Sequence, residues 1–241
     1  MERLIQNTMI RRVRLLDILI HSNQWTPIKE LTNHLKCSQQ TILSDCDYFE
    51  NEWLDYVVME ISKKRGIRIY MHKNHSVSEL YKKMMKNSSD LALLESFFFY
   101  PNKDTSFHVK RLYTSESSLY RSYKRLKLVL SDRNIDITHN EDKYDLVGEN
   151  ELQIRLFLML YFCEAYEENE WPFPINKDYI YELINSAIKI FPFKITLDSI
   201  KFFMYSMAIS IIREEQGFTF SVDRDFGEIA HTNKEVFGRI R

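Results

Sequence analysis

The stretch Thr26 to Asn51, TPIKELTNHLKCSQQTILSDCDYFEN, constrains the fold more than any other part of this chain. Thr26 is placed to cap a helix, with Pro27 at the first helical position, where its missing N–H costs nothing. Ile28, Leu31 and Leu35 fall on one face at helical spacing. Lys36-Cys37 supplies a turn, and Ser38 is a good cap for a second helix. There Ile42, Cys46 and Phe49 recur at helical spacing and are expected to face inward. Gln39, Gln40, Thr41, Leu43, Ser44 and Asp47 are left for the rest of the helix and its outer face. Two short helices joined this way form either a hairpin inside a core or a pair that lays its second helix in the major groove of DNA. The stretch alone does not decide between them.

Its surroundings favour the second reading. Ile10 to Ser22 predicts a preceding helix with a stripe of Ile10, Val13, Leu16 and Leu19-Ile20. Asp55 to His72 predicts a β-hairpin whose tip is Lys63-Lys64-Arg65-Gly66. Three helices followed by a basic-tipped hairpin make a winged helix, with the tip suited to phosphates. Basic tips also protect sheet edges, but the order of elements favours a functional wing. Ser76 to Asn87 reads as a polar connecting helix, and Leu91 to Tyr100 as an apolar helix stopped by Pro101.

The pattern then recurs. Thr105 to Leu112 is a short helix, Tyr113-Thr114 a turn, and Ser115 the cap of a longer helix with Leu119, Tyr123, Leu126 and Leu130 inward. Its outer face carries Ser117, Ser118, Arg121, Lys124 and Arg125. Ile135 to Val147 predicts a second wing. Residues 26–51 hold two Lys against four acids, whereas residues 106–133 hold seven Lys and Arg against two. The second unit is therefore expected to contribute more of the affinity for a polyanion. In the first, Gln39 and Gln40 suit adenine edges; in the second, Arg121 suits guanine or a phosphate.

Beyond Gly148 the reading is helical. Glu149 to Glu168 carries a stripe of Ile154, Phe157, Tyr161 and Ala165, broken by Trp171-Pro172-Phe173-Pro174. Asn176 to Phe191 offers Ile180, Leu183-Ile184 and Ala187-Ile188. Thr196 can cap a long helix that Gly217 ends, and a short helix is expected over Asp225 to Phe237. Residues 149–241 contain 10 Lys and Arg against 15 Asp and Glu, while residues 1–148 contain 23 against 19. Only the first part suits nucleic acid.

Composition narrows the class further. Five Gly and five Pro among 241 residues argue against a phosphate loop and against an all-β fold. No apolar run reaches the ~18–20 residues of a membrane span. Three cysteines form no paired framework, which with the absence of a signal segment points to the cytoplasm. No nucleophile–base arrangement supports an enzyme. His34, Cys37 and Cys46 lack a fourth partner for zinc, and Cys46 lies on the expected core stripe, so neither metal nor cofactor is expected.

The order of motifs resembles the Mga-type regulators of Gram-positive bacteria, relatives of factors that carry phosphotransferase-system regulation domains. Ser38-Gln39-Gln40-Thr41-Ile42-Leu43-Ser44-Asp45 is similar to the family's Ser-x-x-Thr-Ile-x-x-Asp recognition helix. Ser115-x-x-Ser118-Leu119-x-Arg121 with Leu126 matches in the second unit. Leu146-x-Gly148-Glu149-x-Glu151-x-x-Ile154-Arg155-x-Phe157 is similar to the entry to the regulatory domain, and Ala208-Ile209 through Arg213 with Gln216-Gly217 to its third helix. Two positions depart. Relatives often have basic residues where Leu43 and Ser44 stand, which implies a weaker first reader. Where a phosphorylatable histidine is typical, Tyr205 is found; His231 matches no motif and reads better as a surface or packing residue than as a phosphosite.

The resemblance implies a mainly α chain with two winged helix-turn-helix domains in tandem, 1–75 and 76–147, followed by an all-α regulatory bundle, 148–241. It implies a transcriptional activator that binds double-stranded DNA as a homodimer, with phosphotransferase-system proteins or RNA polymerase as further partners. Full relatives continue into further regulatory modules, so a truncated chain is one expectation. The alternative is a nucleic-acid-binding or protein-interaction module of the antiterminator type. The expected DNA contacts are Gln39, Gln40, Thr41, Leu43, Ser44, Lys63, Lys64, Arg65, Ser117, Ser118, Arg121, Lys124 and Arg125.

Overall fold

A computed structural model describes residues 7–167, 169–190 and 197–219. Glu168, Thr196, His231 and the helix expected over 225–237 lie outside the described residues. The chain is mainly helical with two small antiparallel sheets, and contacts divide it into two compact units, Met1–Ser88 and Ser89–Arg241. Among the described residues no helix is long and apolar enough to cross a membrane.

In the first unit α1 spans Asn7–Ser22, α2 Ile28–Leu35 and α3 Gln39–Glu52, followed by β1 Val57–Ser62, β2 Gly66–Met71 and α4 Val77–Lys86. The core takes Val13, Leu16 and Leu19 from α1, Leu31 from α2, and Ile42, Cys46 and Phe49 from α3, all on the expected stripes. Burial there pushes the Cys46 thiol up to about 12, so it packs as a small apolar group. Thr26 does not cap α2. The cap position is Pro27, without a side-chain hydrogen bond. Thr26 instead joins the sheet: its N–H donates to the Ile67 carbonyl at 2.8 Å, and the Ile67 N–H donates back at 2.9 Å. The Thr26 hydroxyl donates to Ser22 Oγ at 3.0 Å, so the polar groups of the buried Thr26 are engaged away from the start of α2. Helix α4 is more than a polar connector, since Leu80, Met84 and Met85 are fully buried, and Leu80 and Met84 extend the first unit's core.

In the second unit α5 Ser89–Phe99, β3 Lys103–Asp104, α6 Thr105–Arg111, α7 Glu116–Ser131, β4 Ile135–Asn140 and β5 Lys143–Gly148 repeat the plan. The short β3 pairs with β5 as Thr26 pairs with Ile67, so each hairpin is tied to the residues before its helical pair. Three helices follow: α8 Glu151–Ala165, α9 Lys177–Ile190 and α10 Leu197–Glu215. Ile154, Phe157, Tyr161 and Ala165 are buried as the α8 stripe requires. On α9, Ile180 and Ile184 pack against Met204 of α10, but Leu183 and Ala187 face outward. Gly217, with φ +88°, ends α10.

The sequence suggests boundaries at 75 and 147, whereas contacts place the one break after Ser88. Helix α5 explains the difference. Phe97 stacks on Tyr144 of β5, Phe98 meets Phe162 of α8 at 5.4 Å, and Glu95 accepts hydrogen bonds from Tyr161 at 2.5 Å and Tyr166 at 2.9 Å. One helix thus serves both the second winged helix and the bundle. A charged cluster reinforces this. Glu151 accepts from Arg213 (Nε 2.8 Å, Nη2 2.6 Å) and from Arg155 Nε at 3.0 Å, while Arg213 also donates to the Leu146 carbonyl of β5 at 3.1 Å. Both arginines are at most 2% exposed.

Candidate nucleic-acid interface

Each unit builds a capped helix behind a tight turn. Ser38 Oγ accepts the Thr41 N–H at 3.1 Å, and Ser115 Oγ accepts the Ser118 N–H at 3.2 Å. Each cap satisfies a donor that the first helical turn leaves open. The preceding turns hold Lys36 at φ +49° and Tyr113 at φ +48°, both left-handed. Ile42, Cys46 and Phe49 match Leu119, Tyr123 and Leu126 in register and burial. The outer faces of α3 and α7 are therefore presented by the same local geometry.

On α3, Gln39, Gln40 and Ser44 are exposed and Leu43 is half-buried. Thr41 bonds the capping Ser38 hydroxyl at 2.8 Å and so helps set the helix start. Asp45 turns inward, only 1% exposed, and accepts from Arg11 Nε at 2.6 Å, Arg11 Nη2 at 3.0 Å and Arg12 Nε at 3.0 Å. Arg12 also lies 3.5 Å from the Tyr48 ring centroid. This ion pair bolts the helix to α1 and explains why an acid suits that motif position. Helix α3 has no Lys or Arg and carries Asp45, Asp47, Glu50 and Glu52, so positive charge in this unit comes from other elements.

The wing supplies it. Lys63, Lys64 and Arg65 are exposed at the tip of β1–β2, with the Arg65 guanidinium 4.1 Å from the Trp25 ring centroid. Gly66 has φ +102°, and a Cβ there would stand 2.0 Å from the Thr26 carbonyl oxygen, so only glycine lets the hairpin close on Thr26. The second wing differs. Its two-residue tip is Glu141-Asp142, both at positive φ, and Asp142 accepts from Thr105 Oγ1 at 2.5 Å.

On α7, Ser117, Arg121 and Lys124 are exposed and Ser118 is partly covered. Arg121 curls back, donating from Nε to the Ser117 carbonyl at 3.3 Å and from Nη2 to Ser118 Oγ at 3.1 Å. Arg125 has another task. It donates from Nε and Nη2 to the buried Asp90 carboxylate at 2.7 and 2.6 Å. The acid raises the arginine's already high pKa, outweighing partial burial. This is the α1–α3 bolt with its polarity reversed: the acid now stands on the first helix and the arginine on the third. In the sequence Arg125 looks like an outward cation because its partner lies 35 residues away. Tyr120, 50% exposed on α7, and Tyr113, 97% exposed in the turn, carry no charge that marks them in the sequence.

The comparisons agree with this geometry. Residues 8–65 match the M protein trans-acting positive regulator (MGA) HTH domain, and residues 73–162 match the Mga helix-turn-helix domain. The chain belongs to the Mga-type regulators. This family comprises transcriptional regulators, not enzymes. The Mga-type chain is similar to a Streptococcus pneumoniae serotype 4 protein named as a trans-acting regulator, 26% identical over 93% of this chain and 45% of the relative. It is also similar to the capsule synthesis positive regulator AcpB of Bacillus anthracis, 22% identical over 90% of this chain and 44% of AcpB. A third relative, the anthrax toxin expression trans-acting positive regulator of Bacillus anthracis, is 27% identical over 77% of this chain and 38% of its own length. The chain thus spans less than half the length of these Mga-type relatives.

Proposed function

We propose that this Mga-type chain binds duplex DNA sequence-specifically and activates transcription. The observation that carries this reading is the repeated geometry of α3 and α7: two helices, capped by Ser38 and Ser115 in one register, each with a solvent-facing polar surface. Gln39, Gln40, Leu43 and Ser44 read bases in the first unit; Ser117, Ser118, Arg121 and Lys124 do so in the second. Lys63, Lys64 and Arg65 rest on phosphates. Arg125, engaged by Asp90, sets the pose of α7. Activation is the sign carried by relatives named as positive regulators.

Mobility shifts comparing duplex DNA with hairpin RNA test the reading. Binding of duplex in preference to RNA supports it, and preference for RNA rejects it. Homodimer formation belongs to the same proposal, supported by exposed Tyr179, Tyr181, Phe202 and Phe203 on α9 and α10. A monomeric mass in light scattering at micromolar concentration removes the dimer.

A further inference from the structure

Leu43 is the fifth residue of α3 and Tyr120 the fifth of α7. The registers match independently of these two residues, through the caps and the three buried positions that follow each. A single exposed apolar side chain needs no explanation on a protein surface. Apolar groups at one register, Leu43 half-buried and Tyr120 exposed, on two helices with otherwise different outer faces do need one: amides, a hydroxyl and the Asp47 carboxylate flank Leu43, whereas hydroxyls, cations and the Glu116 carboxylate flank Tyr120.

Tyr120 is also held in place. Its ring lies 6.0 Å from that of Tyr123, which meets Tyr144 edge-on at 5.5 Å, and Lys124 Nζ lies 5.2 Å from the Tyr120 centroid. Arg121 is drawn toward Ser117 and Ser118, the start of the helix. The major-groove edge of B-DNA offers one apolar group to such a side chain, the 5-methyl of thymine. We propose that Tyr120 and Leu43 are specificity-determining residues that pack on thymine methyl groups, one for each unit. The preferred site then requires, for each bound chain, one thymine under each unit. The inference rests on the DNA-binding reading above and adds the base chemistry that the two units share.

The test uses the full chain and the tightest duplexes recovered from a random-sequence pool, resynthesised with each thymine singly replaced by uracil, which removes only the methyl. Loss of one methyl contact is expected to weaken binding about threefold to tenfold, at two positions for each bound chain. Tyr120→Ala abolishes the uracil effect at one of them and Leu43→Ala at the other, while Tyr120→Phe retains it because the ring, not the hydroxyl, makes the contact. Unchanged thermal midpoints confirm that the variants are folded. The inference is overturned if uracil is tolerated at every thymine, if the Ala variants keep the wild-type pattern, or if Tyr120→Phe behaves like Tyr120→Ala. A pool yielding no enriched duplex overturns the DNA-binding reading itself, and this inference with it.

Discussion

Single side chains on α7 divide between those that face solvent and those that hold the helix in place. Replacing Arg121 and Lys124 with Ala removes two exposed cations and is expected to weaken DNA binding by about 1–3 kcal/mol, more than replacing Gln39 and Gln40. Titration by fluorescence anisotropy at fixed salt ranks the pairs, and equal or reversed losses refute the ranking. Arg125→Ala acts instead on the fold. It strips the partner from Asp90, 1% exposed, and is expected to cost about 1–3 kcal/mol in urea unfolding. His108 gives a pH signature. It is fully buried against Phe97, Phe107 and Tyr144, Ser96 Oγ lies 2.7 Å from its Nδ1, and desolvation pushes it down to about 4. The unfolded imidazole takes a proton near 6.5, which the folded one refuses until about 4. Stability is therefore lost as pH falls through that window and is fully present above it. Urea midpoints of wild type are expected to fall relative to those of His108→Leu as the pH is lowered through this range.

Among elements, the first wing carries the sharpest expectation. Gly66→Ala places a methyl against the Thr26 carbonyl and forces a left-handed φ on alanine, so the free energy of unfolding is expected to fall by well over ~1 kcal/mol. By contrast, Lys63→Ala, Lys64→Ala and Arg65→Ala together leave the midpoint near wild type and flatten the dependence of affinity on salt by roughly one unit of slope per lost phosphate contact. A steep remaining slope would take the wing off the DNA. These elements were legible in the sequence because caps, turns and tips are local. Ser38, Ser115 and the Lys63–Gly66 tip need only their immediate neighbours to be recognised. The bolts were not legible, since Asp45 and Asp90 find partners 33 to 35 residues away. Helix α4 read as polar because three lysines outweigh Leu80, Met84 and Met85 in composition, although those three define its buried face. Thr26 read as a cap because the chain itself does not disclose that β2 returns beside it.

At the level of the whole molecule, Glu151 reinforces the joining of the second winged helix and the bundle in one unit. Glu151→Gln leaves the buried Arg213 without its carboxylate, while Arg155 keeps Glu214 at 2.8 Å, and about 3–5 kcal/mol is expected to be lost from residues 89–241. Hydrogen exchange read by mass spectrometry should show faster exchange after Ser88 and wild-type protection before it; uniform acceleration would contradict the division. The boundary after Ser88 was hidden from sequence reading because α5 looks like the start of a domain, while its partners on α8 lie more than sixty residues on. The reversed polarity of the two bolts makes the two halves of the tandem non-interchangeable. Grafting all of α3 into the second unit would set an aspartate beside Asp90, and grafting all of α7 into the first would bring a guanidinium toward Arg11 and Arg12. Either chimaera opposes like charges under the helix, so reprogramming of this regulator must exchange the outward residues alone and leave each helix its native underside.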